Sequence, residues 1–206
     1  TLRAAVETTL TEQGETSPAE IHAKLEIMER EIQRLSGLID DLFTLSQAEV
    51  NNLRLECAPT ELAPLVNQVV EAFAPLAWGS SRVEVNANLP TSLSPVQVDA
   101  RRLGQVLLNL LKNAIRHTPP GGIVVVLAEN EAETVRLEVR DTGEGIDPAD
   151  LSHIWERFYR GKNSTSESAG LGLALVKELI EAMGGSVGVE SVTGQGSCFT
   201  VRLPKA

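Results

Sequence analysis

An apolar seam that the chain has too little helix to cover is the strongest constraint on its fold. Ile21, Leu25, Met28, Ile32, Leu35, Ile39 and Leu42 follow one another four and three residues apart, the spacing of the a and d positions of a heptad. Leu38 and Leu45 add further apolar positions, which widens the stripe from a two-stranded seam toward a bundle core. A helix start lies just upstream. Ser17-Pro18-Ala19-Glu20 is a capping box, with Ser at the N-cap, Pro at the first helical position and Glu at the third. Before it, Leu2, Val6 and Leu10 share one helical face, and Gly14 to Pro18 break the chain. That first helix is too short to cover the stripe. Residues 1–55 are therefore expected to form a partial helical hairpin that pairs with a second copy into a four-helix dimerisation bundle. The alternative is a helix folded back onto the domain that follows.

From Leu53 the heptad pattern gives way to mixed strand and helix signals. A short strand around Leu53–Glu56 leads through Pro59 into a helix carrying Leu62, Leu65, Val66, Val69, Val70 and Phe73. Strands are expected at Arg82–Ala87, Val96–Val98, Ile123–Ala128, Val135–Asp141, Ser186–Ser191 and Ser197–Leu203, by period-two alternation and flanking turn residues. Asp99 is placed to cap a helix running to about His117. A second helix runs from about Gly170 to Met183 and stops at Gly184-Gly185. Strands and helices segregate instead of alternating as βαβ units, so residues 56–206 read as an α+β domain. The expected fold is a two-layer sandwich, a mixed sheet covered on one face by helices.

Three segments of this domain carry chemistry. In NLLKNAIRH, Asn109 and Asn113 lie four apart on one helix face. Their carboxamides offer neutral oxygens to a magnesium ion and N–H donors to phosphate, with Lys112, Arg116 and His117 close by. In DTGEGI, Asp141 ends a strand and enters a glycine turn. A carboxylate there can accept from an exocyclic amine, and glycines let the backbone approach a ligand. In AGLGLAL, Gly170 and Gly172 open a helix, whose bare N–H groups suit an anion. Alone, each has an ordinary structural reading: surface amides, an Asp-initiated turn, close helix packing. No GxxxxGK[ST] loop occurs, so the P-loop class is excluded.

All three in this order resemble the bacterial two-component sensor histidine kinases. QVLLNLLKNAIRH is similar to their N box, DTGEGI to their G1 box, WERFYRG (Trp155 to Gly161) to their F box and AGLGLALVK to their G2 box. GQGS (Gly194 to Ser197) followed by Phe199 is similar to the glycine turn near the end of the same domain. The helix after Ser17, ending RLSGLIDDLFTLSQAE, resembles the second helix of their dimerisation and phosphotransfer domain. The resemblance covers essentially the whole chain. It implies a histidine-kinase/gyrase-type ATPase fold that binds ATP and Mg2+, pairs as a homodimer through the bundle, and passes phosphoryl through a histidine to a response regulator receiver domain.

Carried over position by position, Asn113 would hold Mg2+ and Asn109 would lie beside it at the phosphates. Arg116 and His117 would contact phosphate or ribose. Asp141 would take the adenine amine, with Gly143, Gly145 and Ile146 shaping that wall. Residues from about Trp155 to Ala169 would form a lid anchored in the core by Phe158, with Arg160 and Lys162 available to phosphate. Gly170, Leu171, Gly172 and Leu173 would face the triphosphate. Two departures stand out: Ser168 occupies a position that is often glycine, and the stretch between Lys162 and Ser168 lacks an arginine often found there.

The family's acceptor histidine sits in an H-E/D-L-R-x-P context, and this chain has none; His22, His117 and His153 are its only histidines. The chain is thus expected to be part of a longer receptor, cut just after the acceptor, with any inner-membrane anchor upstream. The expected location is cytoplasmic. A formal net charge of −10 argues against a nucleic-acid partner and against docking on anionic lipid. No window has eighteen consecutive apolar residues, so direct membrane contact is not expected. Cys57 and Cys198, far apart, suggest neither a disulfide framework nor a zinc site. Two rival readings remain: an ATPase of the gyrase, chaperone and mismatch-repair group, and a nucleotide-binding dimerisation module without chemistry.

Overall fold

The computed structural model describes residues 22–29, 31, 32, 35, 37, 39, 42, 54–161 and 170–206. The chain divides into two compact units, Thr1–Thr44 and Leu45–Ala206. In the first unit the described residues are helical, in keeping with the heptad spacing. Its seam residues Leu25, Ile32, Leu35, Ile39 and Leu42 are between 45% and 67% exposed. The expected first helix and the capping box at Ser17 lie outside the described residues.

The second unit runs β1 (Ala58–Thr60), α1 (Leu62–Ser81), β2 (Glu84–Asn88), β3 (Val96–Val98), α2 (Ala100–His117), β4 (Ile123–Asn130), β5 (Thr134–Asp141), α3 (Gly172–Ala182), β6 (Ser186–Val192) and β7 (Gly196–Pro204). Five strands form one sheet in the order β2-β4-β5-β7-β6. β2 and β4 are parallel and the other pairs antiparallel, so the sheet is mixed as expected. β1 and β3 make a separate two-stranded antiparallel ladder.

Alternation decides which face is covered. On β5, Val135, Leu137 and Val139 are buried, and register sets Val139 beside Val126 on β4 and Phe199 on β7. Against this face pack Leu62 and Val66 of α1, Leu103, Leu107 and Leu110 of α2, and Leu175 and Leu179 of α3, each at most 1% exposed. Side chains of one strand face alternate every second residue, so Asp141 continues the inward row of Val135, Leu137 and Val139. The acid thus enters the layer between sheet and helices at the end of the strand, and is itself 8% exposed.

Two boundaries differ from expectation for physical reasons. The first strand is Ala58–Thr60, and the described part of the expected one, residues 54–56, is not strand: the Glu56 N–H goes to Asp99 Oδ2 at 3.1 Å instead of to a ladder partner. α3 starts at Gly172, not Gly170, because Gly170 has φ 69°, a left-handed conformation that cannot extend a right-handed helix.

Candidate nucleotide site

α2 is the spine of the site. Asp99 caps it, accepting from Arg102 N at 3.1 Å with Oδ1 while Oδ2 holds Glu56 N. Burial works against the Asp99 charge, but the backbone N–H groups of Glu56, Arg102 and Arg101 outweigh it and hold the carboxyl below its ordinary value. With the buried stripe of α2 pressed on the sheet, Asn109 and Asn113 fall half-buried along its flank, while Lys112 and Arg116 stay exposed. Asn109 Nδ2 is buried with no hydrogen-bond partner among the described residues. A buried amide donor without an acceptor is costly, so the position suits a ligand oxygen.

Gly172, at the start of α3, packs against this amide. A Cβ built on Gly172 would lie 3.5 Å from Asn109 Oδ1, an ordinary contact the protein itself would tolerate. Leu171 is buried, and Leu173 is half-buried against the core. Gly170, by contrast, is required by the fold: its carbonyl accepts from Phe158 N at 2.9 Å, and a Cβ there would strike the Phe158–Tyr159 backbone.

Asp141 forms the other end. Its Oδ1 accepts from Gly143 N at 2.8 Å and from Ser197 N at 3.2 Å; no described residue bonds Oδ2, which leaves that oxygen for a donor. Burial raises the Asp141 pKa, opposed by the two backbone N–H groups and by His117. Gly143 packs on the His117 carbonyl so closely that any side chain would collide with it. Glu144 N donates to that carbonyl at 3.1 Å, and the Glu144 carboxylate meets His117 Nδ1 at 2.8 Å. Gly145 (φ 69°) abuts the Val192 carbonyl, and Ile146, half-buried, donates its N–H to Ser191 Oγ at 2.8 Å. The Asp141 loop is thus clasped between the end of α2 and the β6–β7 turn.

The approach to the lid needs a correction. Phe158 does not anchor it in the core: the ring is 64% exposed and the backbone has φ 63°. Trp155 anchors this stretch instead, its ring edge-on to Phe199 at 6.0 Å. The Phe158 N–H donates to Gly170 O at 2.9 Å. Tyr159 donates to Asp150 Oδ1 at 2.7 Å, the main reason its pKa is raised. Arg160 is exposed. Lys162 and the lid residues through Ala169 lie outside the described residues.

The structure therefore brings Asn109 and Gly172 together, and separately Asp141, Gly143 and His117, with α2 running between them. Glu144 and Ser191 were not singled out by motif reading, since each makes its contacts only through tertiary pairing. Among the described residues no group of three or more His, Cys, Asp or Glu is arranged to hold a metal ion.

Comparison with known proteins bears on the family and the fold. Residues 98–206 match the family described as histidine kinase-, DNA gyrase B-, and HSP90-like ATPase. The chain is 36% identical over 206 residues to the sensor histidine kinase RppB of Synechocystis sp., covering 98% of this chain and 45% of that protein. It is 34% identical over 177 residues to the circadian input-output histidine kinase CikA of Synechococcus elongatus, covering 84% of this chain and 24% of the relative. Among solved structures, full-length ShkA in complex with AMPPNP superposes with a TM-score of 0.78 at 30% identity, over 96% of this chain and 42% of that one. The Acinetobacter baumannii histidine kinase AdeS also gives 0.78, at 26% identity, over 99% of this chain and 93% of that one. The chain spans from 24% to 47% of the length of the first curated relatives it matches. By its matched residues and its sheet, the chain belongs to the histidine kinase-, DNA gyrase B-, and HSP90-like ATPase family.

Proposed function

We propose that this chain holds Mg2+-ATP for transfer of the γ-phosphoryl group to a histidine, which then passes it to an aspartate of a response regulator receiver domain. Asp141 Oδ2 accepts from the adenine amine, with Gly143, Gly145 and Ile146 as that wall. His117 to Asn109 is eight residues of helix, about 12 Å at 1.5 Å per residue, the scale of an extended nucleoside triphosphate. Arg116 and His117 meet ribose or the nearer phosphate. Asn109 and the N-terminus of α3 at Gly170, Leu171, Gly172 and Leu173 receive the phosphates. Asn113 offers its carboxamide oxygen to Mg2+, which characteristically takes one or two protein oxygens and completes its shell with phosphate and water. Arg160 and Lys162 approach the phosphates from the lid. With residues 1–55 as the dimerisation part and 56–206 as the ATP-binding part, the working unit is a homodimer on the cytoplasmic side of the membrane.

The observation that carries this reading is Asn109: an amide buried against Gly172 and without a partner among the described residues. An amide donates to phosphate but cannot deprotonate water. Related ATPases place a glutamate at this point of the helix, and here it is asparagine. The site therefore positions ATP for a nucleophile other than water, by orientation and charge neutralisation. Among the described residues no helix is long and apolar enough to cross a membrane.

The test is phosphotransfer to a separate polypeptide carrying the H-E/D-L-R-x-P histidine, with γ-labelled ATP and Mg2+. Label is expected on the histidine with this chain and not with Asn113→Ala. Proven ATP binding without any label would overturn the kinase reading, and steady phosphate release independent of the acceptor would favour the hydrolase.

A further inference from the structure

The Asp141 carboxylate owes its orientation to two backbone donors, and only one of them is local. Gly143 N comes from the same turn, whereas Ser197 N comes from the start of β7. What holds β7 there is a serine on the neighbouring edge strand. Ser191 lies directly opposite Ser197 in the β6–β7 ladder. Its hydroxyl donates to Gly196 O at 2.9 Å, accepts from Ile146 N at 2.8 Å, and lies 3.0 Å from Ser197 Oγ. A hydroxyl has one proton and two lone pairs. If Ser197 Oγ–H is the third partner's donor, all three are in use. Gly196, the residue so tied, runs against the Asp141 backbone too closely to admit a Cβ.

We propose that Ser191 is a positioning residue for nucleobase selection: its hydroxyl locks Ile146 and the Gly196–Ser197 backbone in place, and through them aims the Asp141 carboxylate at the exocyclic amine of the base. This rests on the reading of Asp141 as the adenine acceptor. Ser191 touches no ligand atom itself. It joins both walls of the base pocket, the Ile146 side and the Asp141 side, at one oxygen atom. Without it Ile146 N–H, Gly196 O and Ser197 Oγ lose a shared partner at once, and the long-range donor to Asp141 is free to shift.

The experiment compares binding of ATP and of purine riboside 5′-triphosphate, which lacks the exocyclic amine, to the whole chain and its variants by calorimetry. The wild-type chain is expected to prefer ATP by roughly tenfold or more, the discrimination expected of a site built around a hydrogen bond. Ser191→Ala is expected to lose about tenfold in ATP affinity, the value of one to two hydrogen bonds, with the amine-free analogue changed by about twofold at most. Selectivity then collapses. Ser191→Thr, which keeps the hydroxyl, retains it, and Ser191→Cys, a poor acceptor of similar size, does not. A variant set in which the ratio of the two affinities stays at the wild-type value overturns the proposal, whether both affinities fall together or neither moves. Should the alanine variant not fold, the Thr and Cys pair decides alone. Absence of any wild-type preference sinks the Asp141 reading and the Ser191 role with it, whereas a preference that survives in every variant sinks the Ser191 role only.

Discussion

Asp141 is where function and stability oppose each other within one residue. The inward register of β5 buries the carboxyl, and burial pushes its pKa above the ordinary 3.8 in spite of two backbone donors and His117. The folded chain therefore holds this proton more tightly than the unfolded chain. The stabilisation from that proton is complete below the unfolded value and is lost as pH rises through the raised folded value. At neutral pH the ionised, buried acid is a net burden on the fold. Asp141→Asn keeps an oxygen for Gly143 N and Ser197 N and removes the charge. Thermal unfolding at neutral pH should show the variant at least as stable as the wild type, with the difference shrinking as pH falls toward 4. ATP affinity should drop by roughly 10- to 100-fold, the value of a charged hydrogen bond of about 1.5–3 kcal/mol. A variant that keeps wild-type affinity would remove Asp141 from the site.

At the scale of elements, the start of α3 separates glycines required by the fold from one available to a ligand. Gly170 has a left-handed backbone and no room for a side chain, so its replacement strains the protein with or without nucleotide. Gly172 is helical, and a Cβ there makes only ordinary contact with Asn109. Among the described residues nothing calls for glycine at this point, and alanine is the better helix former by about 1 kcal/mol. Gly172→Ala is therefore expected to leave denaturant stability unchanged or raised by up to about 1 kcal/mol, and to weaken ATP binding about tenfold or more by filling space beside the Asn109 amide. Stability and affinity falling together would make Gly172 a packing glycine.

At the scale of the whole molecule, the proposed homodimer rests on the apolar seam of the N-terminal unit. Five apolar seam residues of the N-terminal helix are each about half exposed or more, including Ile32 at 55% and Leu35 at 45%. Burying such side chains is worth about 1.5–3 kcal/mol apiece, enough for several of them to hold a dimer together. The Ile32→Asp, Leu35→Asp double variant should sediment as a monomer where the wild type sediments as a dimer, with ATP affinity unchanged because the nucleotide residues belong to the other compact unit. Sedimentation unaffected by the two aspartates would remove this seam as the dimer contact. Within the second unit, Glu138, 5% exposed, lies on the outer sheet face between Arg136 at 2.9 Å and Arg140 at 2.6 Å.

Much of this was legible along the chain, because the informative signals are periodic or local. Seven-residue spacing marked the seam, period two marked β4, β5, β6 and β7, and Asp99 marked the start of α2. Asn109 and Asn113 share a face by helix geometry alone. Where sequence reading failed, the deciding contact was distant. The first strand shifted because Glu56 N–H found Asp99, 43 residues away. The family resemblance implied Phe158 as the core anchor, but Phe158 is exposed and Trp155 packs on Phe199 instead. Glu144 sits inside DTGEGI and Ser191 in no motif, but the contacts of both were illegible, because a hydrogen bond between residues 27 or 45 positions apart leaves no periodicity to read. Local sequence thus determined which elements form and which side chains could do chemistry. Only tertiary pairing decided which of them meet, since register and loop contacts are set by the partner strand.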